Sequence, residues 1–308
     1  MVSLRDMLGG GTLSTFLGVP EADVADAADI MVFGADCATP YVSVGAYCSG
    51  GPAAIRAGSA DYAGDLARVN FDLGGSVMPA GVTLLDGGDL VTDPDQPAAN
   101  RAAIHRATTQ ILGNTAVPVL LGGDDSVPLA MLDAFGAHGP ITILQIDAHI
   151  DWRDEVQGER LGLSSTMRRA SEMAHVERIV QIGARGVGSA GMDALEAAKA
   201  WGALIVPAVD PDGVARAIEA IPAGANVVIC LDVDALDPSI MPAVIAPTGG
   251  GLAHMDVVRL LLGVAAKAQL RGATMVEFMP ENDRDGIGAR TAAQLLTSIV
   301  GIIGRQRV

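Results

Sequence analysis

Short apolar runs alternate with longer amphipathic ones along this chain, and that rhythm leaves few folds open. Eight runs rich in Val, Ile and Leu read as strands: Ile30–Phe33, Val82–Leu85, Val117–Leu121, Ile141–Ile146, Arg178–Ile182, Leu204–Val206, Val227–Leu231 and Thr274–Phe278. Between them Pro97–Leu112, Ser126–Phe135, Ser165–Met173, Gly191–Trp201, Asp212–Ala220, Met255–Ala268 and Thr291–Ile303 read as helices. Strand and helix in turn make βαβ units, hence an α/β fold with a mostly parallel sheet and helices on both faces. Several of the runs are apolar throughout, as strands buried on both sides must be. No repeat, low-complexity tract or long linker interrupts the pattern, so residues 1–308 are read as a single domain.

Half of the 308 residues are hydrophobic, enough to build a large core without disulfides. The three cysteines, Cys37, Cys48 and Cys230, cannot all pair, and Cys230 lies within an apolar run; a reducing cytoplasm is expected. Met1–Pro20 carries charges and glycines where a signal peptide needs an unbroken apolar segment. Leu295–Ile303 is the most apolar stretch near the C-terminus and falls well short of the ~20 residues of a spanning helix. With 20 basic and 36 acidic residues the formal charge is −16, a field that repels nucleic acid and anionic membranes and favours cationic ligands and metal ions.

The chemistry concentrates where strands end. After Leu144-Gln145-Ile146 comes Asp147-Ala148-His149-Ile150-Asp151. In extended backbone alternate residues share a side, so Asp147, His149 and Asp151 are expected to converge. Carboxylates crowded together repel one another unless a cation sits among them. After Val228-Ile229-Cys230-Leu231 comes Asp232-Val233-Asp234, again two carboxylates on one side. Ligands of open α/β sheets bind outside the carboxyl ends of the strands. The two sets together would hold a pair of divalent ions ~3.5–4 Å apart, with a water between them as nucleophile. A single Asp-x-Asp at a strand end also serves as a helix cap or turn device, and two such ends in one chain argue against that use. A third strand end, Leu121-Gly122-Gly123-Asp124-Asp125-Ser126, reads equally as a glycine turn with Ser126 capping the next helix. In Val276-Glu277-Phe278, Glu277 is an acid inside an apolar strand and needs a partner, either a cationic substrate or an arginine.

These segments resemble the ureohydrolase family of arginase, agmatinase, guanidinobutyrase and formimidoylglutamase. The likeness runs from Gly51-Pro52-Ala53-Ala54-Ile55-Arg56 to the C-terminal helix. Three signatures appear in order, at Gly122–Ser126, Asp147–Asp151 and Cys230–Pro238. The agmatinase-like members are the nearest in Val276–Glu281 and Asp285-Gly286-Ile287. The resemblance implies an arginase-like three-layer sandwich and a dinuclear site ligated by Asp147, His149, Asp151, Asp232 and Asp234. Manganese is the expected metal, with nickel an alternative; a carboxylate-rich shell independently suits a hard ion. It further implies that Glu277 pairs with the substrate guanidinium, that Asp151 aligns the nucleophile, and that the products are urea and an amine. Trimers or hexamers are expected.

Two positions depart from the family pattern. The turn histidine that ligates metal in the family is Asp125 here, an anionic ligand in place of a neutral one. Leu163 falls where agmatinase-like proteins carry the histidine that relays a proton to the leaving amine, so His254 or solvent would have to act instead. The neighbouring loop offers Arg153, Arg160 and Ser164 to a substrate; an arginine receiving a carboxylate would favour a guanidino acid such as 4-guanidinobutanoate over agmatine. Solvated loop charges are the plainer reading of both arginines. Two further alternatives are a zinc deacetylase, which lacks support because no His-His pair is present, and a family member without catalysis that serves as a binding or regulatory subunit.

Overall fold

The computed structural model describes residues 13–308; the part of the N-terminal reading that rests on residues 1–12 lies outside the described residues. Eight parallel strands form one sheet: β1 (Ile30–Ala35), β2 (Leu84–Asp89), β3 (Val117–Gly122), β4 (Ile141–Ile146), β5 (Val176–Ile182), β6 (Leu204–Val206), β7 (Asn226–Asp232) and β8 (Gln269–Val276). Their order across the sheet is β2-β1-β3-β8-β7-β4-β5-β6. A two-stranded antiparallel ribbon, Val69–Asn70 with Gly75–Ser76, lies apart from it.

Helices cover both faces: α1 (Gly51–Gly58), α2 (Pro97–Gly113), α3 (Val127–Ala134), α4 (Thr166–Ala170), α5 (Met192–Trp201), α6 (Gly213–Ala220), α7 (His254–Ala265) and α8 (Ile287–Arg305). Alternate side chains of one strand enter different cores. Ile30 and Val32 pack with Ile55 of α1, Leu260 of α7 and Leu295 of α8, whereas Met31 and Phe33 pack with Ile104 of α2, Met131 of α3 and Met167 of α4. That division is the three-layer α/β sandwich. Among the described residues α8 alone has the length and composition to cross a membrane, and 78% of its apolar window is buried in the fold, where it packs on α1 and α7.

Strand β2, expected at Val82–Leu85, runs Leu84–Asp89, and α4, expected at Ser165–Met173, is confined to Thr166–Ala170; two further elements differ more. Helix α1 was not foreseen, because Gly51-Pro52-Ala53-Ala54-Ile55-Arg56-Ala57-Gly58 is built of small residues with little apolar periodicity. Proline in its first turn supplies a φ already helical. Strand β8 begins five residues earlier than expected, at Gln269, and ends at Val276 rather than Phe278. Its early half reads as polar, yet it pairs in register with β7 through a bulge between Leu270 and Gly272. At Gly272 the strand passes close under α3, and a Cβ there would come within 2.7 Å of the Met131 methyl and 2.9 Å of the Phe135 ring, so those side chains would have to shift. The end is set by Glu277, whose φ of +67° takes the chain out of the strand.

Candidate metal centre

The four central strands, β3, β8, β7 and β4, are neighbours, and their carboxyl ends bring Asp125, Glu277, Asp232, Asp234, Asp147, His149 and Asp151 to one place. The parallel order does this work, since these residues come from segments 152 positions apart in sequence. Gly123 closes the approach from β3: its N–H donates to the Ala35 carbonyl at 2.8 Å, and the Asp36 carbonyl leaves no room for a Cβ.

The convergence of Asp147, His149 and Asp151 does not arise from strand alternation as expected. Strand β4 stops at Ile146, and Asp147 then folds an Asx turn, its Oδ1 accepting the His149 N–H at 2.6 Å. Asp151 adopts a left-handed φ of +45°. Backbone in that region costs about 1 kcal/mol or more for a non-glycine residue and persists where the surroundings impose it. On β7 the same device recurs, with Asp232 Oδ1 accepting the Asp234 N–H at 2.7 Å.

Donor atoms of Asp125, Asp147 and Asp151 lie within 4.8 Å of one another, and so do those of Asp147, His149 and Asp234. Asp147 belongs to both groups. His149 Nδ1 stands 3.0 Å from Asp234 Oδ2 and 3.5 Å from Asp147 Oδ1. Asp232 falls outside both groups by distance but carries its charge against Asp234, Asp147, Glu277 and Asp125. All but Asp234 and His149 are buried.

Without a cation this arrangement is costly. Burial, and then the neighbouring carboxylates, push Asp125, Asp151 and Asp232 well above the usual carboxylate range. His149 is raised to about 11 by its hydrogen bonds to Asp147 and Asp234. Burial opposes ionisation of Asp147 too, but the bonds from His149 and Asp151 and the imidazolium charge lower it on balance. Asp125 Oδ2 is buried with no hydrogen-bond partner among the described residues. Arg185 is the nearby guanidinium, yet its donors go to the backbone carbonyls of Gly183, Asp234, Ala235, Leu236 and Thr248. Two oxygen-rich donor groups, an orphaned oxygen and excess negative charge fit divalent cations of the hard class.

A family model described as the arginase family matches residues 28–301. The chain belongs to the arginase family. It is similar to the guanidinobutyrase of Pseudomonas aeruginosa, 29% identical over 219 residues that make 66% of each chain, and to the N(1)-aminopropylagmatine ureohydrolase of Thermus thermophilus, 35% identical over 61% of this chain and 63% of that one. The aligned part thus spans about two thirds of the length of these relatives. Among solved structures, the proclavaminate amidino hydrolase of Streptomyces clavuligerus superposes with a TM-score of 0.81 at 24% identity, covering 96% of this chain and 98% of that one. The agmatine ureohydrolase of Thermoplasma volcanium gives 0.76 at 23% identity, covering 98% and 97%. These two likenesses establish the arginase-family fold.

Within that fold, several expected site residues stand elsewhere. His254 opens α7 in a separate groove, 3.9 Å from Asp72, and no carboxylate of the centre acts on its charge. Arg153 donates to the Ser189 carbonyl at 2.8 Å, and Arg160 reaches Asp154 at 3.2 Å. Both contacts lie at the surface, as solvated loop charges would. Ser164 is buried, its N–H donating to the Tyr41 hydroxyl at 3.2 Å and its carbonyl accepting from Arg153 N at 3.0 Å. Ser126 does not cap α3; its hydroxyl donates to Asp124 Oδ1 and accepts the Thr39 N–H at 2.7 Å. Leu163 opens a single turn, Leu163–Ser165, and the following Thr166 bonds the Asp125 carbonyl.

Other residues of the centre were not foreseen. Gln145 of β4 donates from Nε2 to Asp147 Oδ2 and Asp151 Oδ2, both at 2.6 Å. Gln181, its register partner on β5, holds the Gln145 carbonyl and also donates to the Ile150 carbonyl at 2.8 Å. A glutamine inside an otherwise apolar, doubly buried strand was the available signal. Tyr47 had none: it comes from an irregular segment, yet its hydroxyl lies 2.8 and 2.7 Å from the two oxygens of Glu277. Glu277 also accepts the Asp125 N–H at 2.8 Å, and burial, with the charge of Asp124 next, raises it to about 8.

Proposed function

We propose that this protein is a metal-dependent amidinohydrolase, agmatinase-like, that splits a small guanidino compound into urea and an amine. The observation that carries the reading is the pair of donor groups meeting at Asp147, with the buried Glu277 beside them. Asp125, Asp147 and Asp151 would hold one ion and Asp147, His149 and Asp234 the other, with Asp232 adjacent to both. Manganese is the metal expected of so many carboxylates, with nickel second. When bound, such ions supply Lewis-acid activation of water at neutral pH.

The chain's own groups account for the remaining tasks. Glu277 offers a carboxylate to a guanidinium, a charge-assisted contact that fixes the angle at which the central carbon faces the ions. Asp151 aligns the attacking water, and Gln145 fixes the planes of Asp147 and Asp151. With His254 turned to Asp72 and Leu163 apolar, solvent is left to protonate the leaving amine. Relatives named guanidinobutyrase and guanidino acid hydrolase make a substrate carboxylate conceivable, but Arg153 and Arg160 are otherwise engaged, which favours agmatine. A homo-oligomer, trimer or hexamer, in the cytoplasm completes the reading; the three buried free cysteines suit a reducing compartment.

The test is a urea-release screen of agmatine, arginine, 4-guanidinobutanoate and guanidine with Mn²⁺ and with Ni²⁺, with formamide followed for formimidoylglutamate. Urea from agmatine with Mn²⁺ is the expected result. An empty or single-ion site with no turnover of any of these compounds would make the protein a binding or regulatory subunit instead.

A further inference from the structure

The oxygens of Glu277 are already taken. Tyr47 Oη stands almost equidistant from them, at 2.8 and 2.7 Å, so it sits at the mouth of the carboxylate. A guanidinium pairing with both oxygens needs that same position for its two parallel N–H groups. The Asp125 N–H occupies a further lone pair on Oε1, and a carboxylate has about four such sites in all. A bidentate cation and the Tyr47 hydroxyl therefore cannot hold Glu277 together.

The segment that carries Tyr47 is suited to release it. Residues 41–50 link β1 to α1 without regular structure, turn at Gly45 (φ +64°) and Gly50 (φ +78°), and leave Val42 and Val44 exposed. Tyr41, at the start of the segment, accepts the Ser164 N–H, so the same strap also touches the loop after β4.

We propose that Tyr47 is a displaceable latch on the guanidinium subsite, one that every occupant of Glu277 must dislodge. The inference rests on Glu277 being the guanidinium partner. A cation repays the displacement because it sets a full opposite charge and two parallel N–H donors against the carboxylate, where Tyr47 offers one neutral O–H. Neutral urea bonds the same carboxylate without that second charge, so the latch, which urea must also displace, raises its dissociation constant and favours its departure.

The experiment measures binding of acetamidinium, a cationic fork with no alkylamine to lose, and of urea to the Mn²⁺-loaded protein. Tyr47→Phe removes the competing hydroxyl and is expected to tighten both probes by the same factor, about tenfold or more, the size of one net hydrogen bond to a charged group. Unchanged or weaker binding of the two probes would overturn the latch. Glu277→Gln is the control: it should weaken acetamidinium, and wild-type affinity in that variant would show that the subsite assignment itself had failed. Hydrogen exchange gives an independent readout in the wild type. Amides of residues 42–50 should exchange faster with acetamidinium bound, and unaltered exchange counts against release of the strap.

Discussion

Two places in this molecule bury charge along the central sheet, and they are built on opposite plans. Within β2, Asp86 is wholly buried against Arg56 of α1, which meets it with two parallel bonds of 2.8 and 2.9 Å. The Phe16 N–H adds 2.7 Å and the Gly88 N–H 2.9 Å to the same carboxylate, while Arg56 spends a further donor on Asp89. Every valence there is met, and Arg56 is held more strongly protonated by Asp86 and Asp89 than it would be in water, despite the opposing effect of burial. At the ends of β3, β4 and β7, five carboxylates face one imidazole, and Asp125 keeps an oxygen with no hydrogen-bond partner. The first plan welds a helix to the sheet. The second stores an electrostatic penalty that an external cation would relieve.

The contrast is broken most severely at Asp232. Asp232→Ala should abolish urea release and remove the rise in melting temperature that Mn²⁺ gives, while the metal-free protein melts no lower than wild type, since a repelling charge has gone. Melting curves with Mn²⁺ and with a chelator measure both halves; a large loss of stability in the metal-free state would make Asp232 structural. Arg56→Met tests the other plan. It strands Asp86 in the interior, and breaking a buried pair in this way costs about 3–5 kcal/mol. Denaturant unfolding of the metal-free variant measures it, and a loss below about 1 kcal/mol would mean the pair contributes no more than an exposed one.

The sequence made the sheet legible because doubly buried parallel strands are continuous apolar runs, and six of the eight observed strands overlap their expected ranges closely; β2 shares only Leu84 and Leu85 with its expected range, because its second half, Asp86-Gly87-Gly88-Asp89, is polar. Strand β8 was half hidden because its first residues, Gln269 and Arg271, are polar, and its exit depends on a left-handed Glu277 that no pattern announces. The acidic ligand candidates were legible for a related reason: carboxylates directly after apolar runs are anomalous. How Asp147 and Asp151 are aimed was not, since Asx turns and a positive φ are tertiary outcomes. The surface partners of Arg153 and Arg160, and the turn of His254 to Asp72, were not legible, because charge in a loop says nothing about which neighbour it will meet. Tyr47 depends on a 230-residue contact between an irregular segment and a strand end.

Between the two plans stands Gln145, the neutral donor that the acidic centre supplies from its own strand. Its amide serves Asp147 and Asp151 at once, and its carbonyl is held by Gln181, so the two carboxylates are oriented from β5 through β4. If the acids are ligands, this pair sets their planes, and such supporting hydrogen bonds are worth about 10–100-fold in metal affinity. Gln145→Leu, close in volume, should therefore weaken Mn²⁺ binding by about that factor, or about 1.4–2.8 kcal/mol, as read by calorimetric titration. Gln181→Leu acts through Gln145 and through the Ile150 carbonyl, touching no carboxylate itself, and should cost less. A Gln181 effect equal to or larger than that of Gln145 would assign the amides to sheet cohesion, because the two residues pair in register and only Gln145 touches the carboxylates.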